Sequence, residues 1–487
     1  MVIPKEVKNI IDKLKKSGYE AYIVGGCVRD FLLGLEPKDW DITTSAKPEE
    51  IQKVFPDSFY ENKFLTVTVK TNSKKIREVE VTTYRLEAKY SDKRHPDEVR
   101  FAKSLKDDLS RRDFTVNAMA IGEKIENRKK KIEVTDLFGG QEDLKNRIIR
   151  TVGKAQERFS EDALRMLRAV RFATTLGFTV EENTAKAIQK NSIWLEAISK
   201  ERVRDEFLKI IMSDKAADGI DLLRQLGLLK FIVPELEENY GVGQNKHHIY
   251  DCYTHALKAL EYTAKKKFNV QVRLAALFHD IAKPRVKVGQ GVDSTFYNHE
   301  IVGAKMTFGI LNRLKFSNKD IEKIVKLITY HMFYYNVDEV SESSVRRLVK
   351  NMGPENMEEL LQLREADRIG SGVPKAEPYK LRHLKYIIEK VSKDPISVKM
   401  LCVSGNDVMN TLKIKPGPKI GQILDILLGY VLDDPQKNKK ELLKKEIEKL
   451  GKLDDKKIKS LAEKSKEEKL EVATKEDQMT KQKYWVT

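Results

Sequence analysis

The sequence predicts an α+β fold, a small mixed-sheet head followed by an elongated all-α body. Three observations predict it. Through the first 150 residues, short segments rich in β-branched and aromatic residues alternate with helical ones. Beyond about residue 155, apolar residues recur every three or four positions and strand-like runs almost vanish. Finally, 487 residues exceed what one core of ~100–200 residues holds.

In the head, an amphipathic helix ends at Ser17-Gly18, and strands are expected at 20–24, 40–43, 64–70 and 77–85, with shorter ones at 131–135 and 148–152. A helix begins near Glu161, with Leu164, Leu167 and Val170 on one stripe. Further stripes run through 203–211, 220–229, 254–264, 272–278 and 321–330. From Gly451 the chain is Lys/Glu-rich with few large apolar residues, which predicts disorder or a loosely held helix.

The formal net charge of +17 favours a polyanionic partner, because Lys and Arg neutralise phosphates and release counterions. Cys27, Cys252 and Cys402 are far apart and form no metal-type pair, so reduced thiols in a cytoplasmic protein are expected. No apolar run reaches the roughly 18 residues needed to span a bilayer. Nothing in the sequence implies a membrane or a protein partner.

The chemistry concentrates first at Ile23-Val24-Gly25-Gly26-Cys27-Val28-Arg29-Asp30, followed by Asp39-Trp40-Asp41-Ile42-Thr43. Gly25 and Gly26 at a strand-to-helix turn let backbone approach a phosphate, and Arg29 adds positive charge there. Asp39 and Asp41, two apart on a strand, project from one face. Such carboxylates repel unless they share a cation, and hard oxygen ligands suit Mg²⁺. Glu80, on a neighbouring strand, stands to orient or supplement the pair.

These motifs resemble those of the class II tRNA nucleotidyltransferases and bacterial poly(A) polymerases. The resemblance continues through Arg111-Arg112-Asp113-Phe114-Thr115-Val116-Asn117-Ala118-Met119-Ala120 and Asp136-Leu137-Phe138-Gly139-Gly140. It extends to the run from Glu161-Asp162-Ala163-Leu164-Arg165 to Arg171-Phe172, and to Ser199-Lys200-Glu201-Arg202-Val203. It implies a template-independent enzyme that adds C, C and A from CTP and ATP to the 3′ end of tRNA. It further implies that the head holds the metal, that Arg112 and Asp113 serve the triphosphate and ribose, and that the helix from Glu161 serves the base. Where the family commonly has Gly-Thr entering its third strand, this chain has Leu65-Thr66.

Asp162 and Arg165, three apart, are expected as neighbours on one helical face, with Arg168 and Arg171 continuing it. On their Watson–Crick edges cytosine and adenine present an amine beside an unprotonated ring nitrogen, whereas guanine and uracil present a carbonyl beside a ring N–H. An aspartate that accepts and an arginine that donates therefore select the first two.

Five of the eight histidines fall between residues 247 and 300. His255, His279-Asp280, His299, His331 and Asp367 occur in an order that resembles the HD phosphohydrolase superfamily. Imidazole with carboxylate suits a divalent transition metal or Mg²⁺, and the resemblance implies hydrolysis of phosphate esters. His247 and His248 are expected as loop or substrate contacts rather than ligands.

Segments 403–409 and 414–421 resemble the family's C-terminal RNA-binding region, where Pro416-Gly417-Pro418 exposes backbone N–H groups and lysines to phosphate. The expected organisation is a head at 1–150, a neck with the base helix at 151–215, a body with the histidine pocket at 216–385, an arm for the acceptor and T-arm region of tRNA at 386–450, and a disordered 451–487. A bacterial poly(A) polymerase, or an enzyme adding only CC or only A, is the alternative. Against these, 59–69 lacks an Arg-rich stretch, and 90–99, with Arg94-His95-Pro96, resembles the flexible loop of full CCA-adding enzymes.

Overall fold

A computed structural model describes residues 3–61, 66–88, 98–126, 129–246, 248–392, 398 and 401–486. The chain divides into two compact units, one of residues 1–332 and 358–374, the other of 333–357 and 375–487. The expected body, 216–385, is thus shared between both units. Helix periodicity marks helices but not which of them pack together.

In the first unit, α1 (Lys5–Lys16) leads into β1 (Ala21–Val24), α2 (Gly26–Leu32), β2 (Asp41–Thr44), α3 (Pro48–Val54), β3 (Ser58–Glu61), β4 (Thr66–Lys70) and β5 (Glu78–Thr83). The strands β6 (Arg85–Ala88) and β7 (Glu98–Phe101) form a separate antiparallel pair before α4 (Leu105–Ser110), β8 (Met119–Glu126) and β9 (Lys129–Asp136). The main sheet has seven strands in the order β3-β4-β5-β2-β1-β8-β9. It is mixed because β2 and β5 run parallel, with Asp41 opposite Glu80, while the other neighbours are antiparallel. The alternation of Val79, Val81 and Thr83 inward with Glu78 and Glu80 outward sets the faces of β5.

The helical part begins with α5 (Gly140–Asn146), β10 (Ile148–Ile149), α6 (Ala155–Glu161), α7 (Leu164–Leu176), β11 (Thr179–Val180), α8 (Glu182–Asn191) and α9 (Lys200–Ile211). The strand expected at 148–152 is the two-residue β10, which pairs with β11 instead of the main sheet. Leu164, Leu167 and Val170 are buried as the periodicity requires, and Gly177, at φ +68°, ends α7 in a left-handed turn. Next come α10 (Ala216–Gln225), α11 (Pro234–Glu237), α12 (Cys252–Lys265), α13 (Val270–Phe278), α14 (Lys283–Val286), α15 (His299–Arg313) and α16 (Asn318–Tyr330). No helix among the described residues is long and apolar enough to cross a membrane.

The second unit holds α17 (Glu342–Met352), and the chain returns to the first with α18 (Met357–Gly370). The second unit then continues with α19 (Tyr379–Ser392), α20 (Gly405–Leu412), α21 (Pro418–Asp433), α22 (Lys440–Gly451) and α23 (Asp455–Lys483). The expectation of disorder at 451–487 is corrected here. Asp454 caps α23 by accepting from the Lys457 N–H at 2.7 Å, and α23 packs on α21, with Ile458 buried in their shared apolar cluster and Leu461, three residues on, half-buried against it. At its far end Tyr484 donates to Glu389 at 2.8 Å. A few apolar residues on one face suffice once a neighbouring helix covers them.

Candidate active site

The glycine turn is built by geometry that other residues reject. Gly25 has φ +83°, and a Cβ there would stand 3.0 Å from Nη1 of Arg112 and 3.3 Å from Oδ2 of Asp41. A guanidinium and a carboxylate therefore flank the turn. Asp41 opens β2, whereas Asp39 lies before it in an exposed bend, so the two are not alternating residues of one strand as expected. Burial pushes the Asp41 carboxyl up; Arg112 opposes this and the nearby charge of Asp39 adds to it. Two neighbouring carboxylates, one already resisting ionisation, fit a cation that would relieve both.

Asp41, Glu80 and Arg112 line one cleft of about 450 Å³, together with Arg85 and Arg111. The same three arginines, Arg85, Arg111 and Arg112, also line an adjoining cleft of about 280 Å³, whose other walls are Asp113, Asp162, Leu164, Arg165, Arg168 and Arg202. An arginine wall thus stands between a carboxylate pair and the start of α7.

Asp108 organises that wall. It is fully buried, accepts from Arg111 at 2.7 Å and from Arg112 at 3.4 Å, and is also reached by the Thr43 hydroxyl at 3.3 Å. Burial raises its carboxyl, but the two guanidiniums hold it below the ordinary value. The sequence reading passed over Asp108, although its spacing of three and four from Arg111 and Arg112 is a helical ion-pair signal. Asp113 is also buried and accepts from the Phe114 N–H, Asn117 and Arg168 at 2.8, 3.2 and 2.7 Å. Burial works against its charge, yet Arg168 and Arg165 outweigh this and hold its pKa at about 2.

The base helix differs from expectation in three ways. It starts at Leu164, because Asp162 is extended and its Oδ1 accepts from the Leu164 N–H at 3.0 Å. Asp162 and Arg165 are consequently not paired on one face. Asp162 pairs with Arg202 of α9 at 2.7 Å, and Arg165 pairs with Glu161 at 2.6 Å while donating to the Arg111 carbonyl at 3.1 Å. Arg171 does not line the cleft. Glu206 of α9 takes it at 2.9 Å, and burial lowers its pKa to about 10.

Arg29 likewise points to structure rather than to the cleft. It donates to Asp30 at 2.7 Å and Asn117 at 2.8 Å and stacks over Phe172. Through these partners it joins α2 to the 115–117 turn and to α7. Gly26, at the first position of α2, stays close to this guanidinium, 3.5 Å from a Cβ it lacks. Leu65 and the loop residues 90–97, including Arg94-His95-Pro96, lie outside the described residues, whereas Thr66 begins β4.

Comparison with known proteins decides the family. Residues 21–150 match the poly(A) polymerase head domain, 177–240 the RNA- and SrmB-binding region of polymerase A, and 302–447 domain 2 of tRNA nucleotidyltransferases. The CCA-adding enzyme of Lactococcus lactis subsp. cremoris is 31% identical over 92% of this chain and 97% of its own. That of Bacillus cytotoxicus is 33% identical over 91% and 98%. The chain belongs to the CCA-adding enzyme family. It is therefore a nucleotidyltransferase, of a family that works with divalent metals. Among solved structures, the Bacillus stearothermophilus CCA-adding enzyme in complex with CTP is 28% identical, covers 92% of this chain and 98% of its own, and superposes with a TM-score of 0.58. The Thermotoga maritima CCA-adding enzyme complexed with tRNA shares the fold at 20% identity and a TM-score of 0.53, covering 92% of this chain and 96% of its own.

This family member also carries a buried histidine pocket in its first unit. His255 comes from α12, His279-Asp280 from the end of α13, His299 from the start of α15, His331 from the end of α16, and Asp367 from α18. All six are buried. Nε2 of His255 lies 2.9 Å from Nε2 of His279, 3.1 Å from Asp280 and 3.5 Å from Asp367. Nε2 of His299 and of His331 lie 3.2 and 3.8 Å from Oδ1 of Asp280, without hydrogen-bond geometry.

The outer nitrogens explain that orientation. Nδ1 of His279, His299 and His331 each donates to the carbonyl three residues back, at 2.9, 2.7 and 2.7 Å. Their Nε2 atoms are left facing the carboxylates, which is how metal-binding imidazoles are held. The Nε2 atoms of His299 and His331, buried and without a hydrogen-bond partner, fit a divalent ion. His248, expected only as a contact, joins His255 and Asp367 in one ligand-spaced group, while His247 lies outside the described residues. Lys283 sits 2.6 Å from Asp280, on the turn after it.

Proposed function

We propose that the chain completes the CCA end of tRNA, adding C, C and A from CTP and ATP and releasing pyrophosphate. The carrying observation is the pair of joined clefts, with carboxylates at one end, base-edge donors and acceptors at the other, and Arg85, Arg111 and Arg112 between them. A nucleoside triphosphate has the same order of groups. Asp39 and Asp41 would hold Mg²⁺, with Glu80 beside Asp41 across the sheet. The ion would lower the pKa of the attacking 3′-hydroxyl and neutralise the leaving pyrophosphate. Arg112 and Arg111, fixed by Asp108, receive the phosphates without having to reorganise. Asp113, already held by Arg168, sets the ribose end of the cleft. Arg165 and Asp162 read the ring nitrogen and exocyclic amine of cytosine or adenine. The net charge of +17 suits the tRNA backbone at its acceptor and T-arm region. Incubating tRNA that lacks its CCA end with each labelled nucleotide, then sequencing the product, tests this. Uniform runs of A would instead identify a poly(A) polymerase, and C-only or A-only products a partial enzyme.

A second activity is favoured by the histidine pocket, which opens into a cavity of about 580 Å³ lined by Lys283, Arg364 and Arg368 together with Asp280, His299, His331 and Asp367. His255, His279, Asp280, His299, His331 and Asp367 would hold a divalent transition metal or Mg²⁺, and the basic residues would take a phosphate ester. An ion held there would make water a usable nucleophile near neutral pH. Cyclic or terminal phosphates on damaged RNA ends are suitable substrates, since both block nucleotide addition. Elemental analysis with a cyclic-phosphate assay in Ni²⁺, Mn²⁺, Co²⁺ and Mg²⁺ tests this reading; no bound metal and no hydrolysis in any of them overturns it.

A further inference from the structure

Arg202 lies on α9, away from the sheet that carries the metal-binding carboxylates, yet its side chain reaches the base-facing cleft. There it grips Asp162 at two points, Nη2 to Oδ2 at 2.7 Å and Nη1 to Oδ1 at 3.4 Å. Oδ1 is also taken by the Leu164 N–H at 3.0 Å. A carboxylate offers about four acceptor sites, so these three contacts leave about one, on Oδ2. One turn further along α9, Glu206 holds Arg171 of α7 at 2.9 Å. The helix therefore holds the extended residue just before α7 and, through an ion pair of opposite polarity, α7 itself.

We propose that Arg202 is a specificity-setting positioning residue. It pins Asp162 so that a single acceptor site remains for the incoming base. An exocyclic amine of cytosine or adenine fills that site with one N–H. The carbonyl that uracil or guanine places there meets a lone pair on a carboxylate that is held from two sides and cannot rotate away. Discrimination then depends on the rigidity of Asp162 as much as on its charge. The proposal rests on the reading of Asp162 as a base acceptor.

The test compares Arg202→Met, Arg202→Lys and Asp162→Asn on tRNA lacking its CCA end, measuring kcat/KM for CTP and for UTP. Arg202→Met lowers the CTP-to-UTP selectivity by about tenfold, while kcat for CTP falls by less than the selectivity does. Arg202→Lys keeps the charge but not the two-point fork and restores part of the selectivity. A structural ion pair would shift the melting temperature and leave the ratio unchanged. If Asp162→Asn lowers selectivity and Arg202→Met leaves it within about twofold of wild type, the positioning role is wrong and the base reading stands. If Asp162→Asn leaves it unchanged, both are wrong. Should Arg202→Met fail to fold, Arg202→Lys with an unaltered melting temperature carries the test. A ratio between wild type and Asp162→Asn supports the role, and a wild-type ratio overturns it.

Discussion

The two candidate sites solve the burial of charge in opposite ways. Along the nucleotide cleft, carboxylates and arginines of the head and the neck meet and neutralise one another on its open walls: Asp108 with Arg111 and Arg112, Asp113 with Arg168, Asp162 with Arg202. In the body, four imidazoles and two carboxylates converge in the interior, where Nε2 of His255 and His279 share a hydrogen bond and Nε2 of His299 and His331 have no hydrogen-bond partner. The first arrangement suits a large, highly charged ligand that must enter and leave. The second suits a small cation that stays. Buried groups of either kind are tolerated only when paired, and the kind of pairing indicates the guest.

The comparison can be broken most sharply at the carboxylates of the head. Asp39→Ala or Asp41→Ala is expected to reduce nucleotide addition by roughly a thousandfold or more while leaving tRNA binding and metal retention in the histidine pocket intact. Single-turnover incorporation of labelled CMP, filter binding and elemental analysis measure the three properties. Addition near the wild-type rate by either variant overturns the metal assignment.

The converse substitutions, His279→Ala and Asp280→Ala, are expected to remove bound metal and reduce phosphoester hydrolysis by on the order of a hundredfold, with nucleotide addition within about twofold of wild type. A parallel loss of addition would show that the two sites are not separate.

The smallest effect concerns stability. The Asp113 carboxyl is held at about 2 when folded, below its ordinary 3.8. A depressed carboxylate stabilises the fold at pH values above its unfolded pKa, and that contribution fades as pH falls from about 4 to about 2. It amounts to on the order of 2 kcal/mol. Asp113→Asn should therefore be less stable than wild type at neutral pH by that order, and its stability should change less across the acid range. Urea unfolding at pH 7 and at several values below 4 measures the difference. Equal stability at neutral pH would mean that Arg168 finds another partner.

Much of the head was legible because its signals are local. Gly25-Gly26 at a strand end, the acidic pair after the next helix, and β-branched alternation in β5 are properties of a few adjacent residues. The helix stripes of the body were legible for the same reason: Leu164, Leu167 and Val170 are buried as their spacing requires. The histidines and aspartates that converge in the body were legible by residue type and order, without any knowledge of how the helices pack. The segment after Gly451 was misjudged because its apolar residues are sparse. Ile458 and Leu461 become a docking face only in the presence of α21.

By itself the sequence determined the element types, the turn at Gly25, the residues able to carry charge or metal, and the family they imply. Only the tertiary structure decided which charges meet. Local spacing placed Asp162 beside Arg165, but an extended residue at 162 broke the helix and handed Asp162 to Arg202, forty positions away. It likewise gave Arg171 to Glu206 and Arg29 to Asn117. The physical reason is that strand and helix periodicity follow from bonds between near neighbours, whereas a long charged side chain in a low-dielectric interior takes the partner that packing brings within reach.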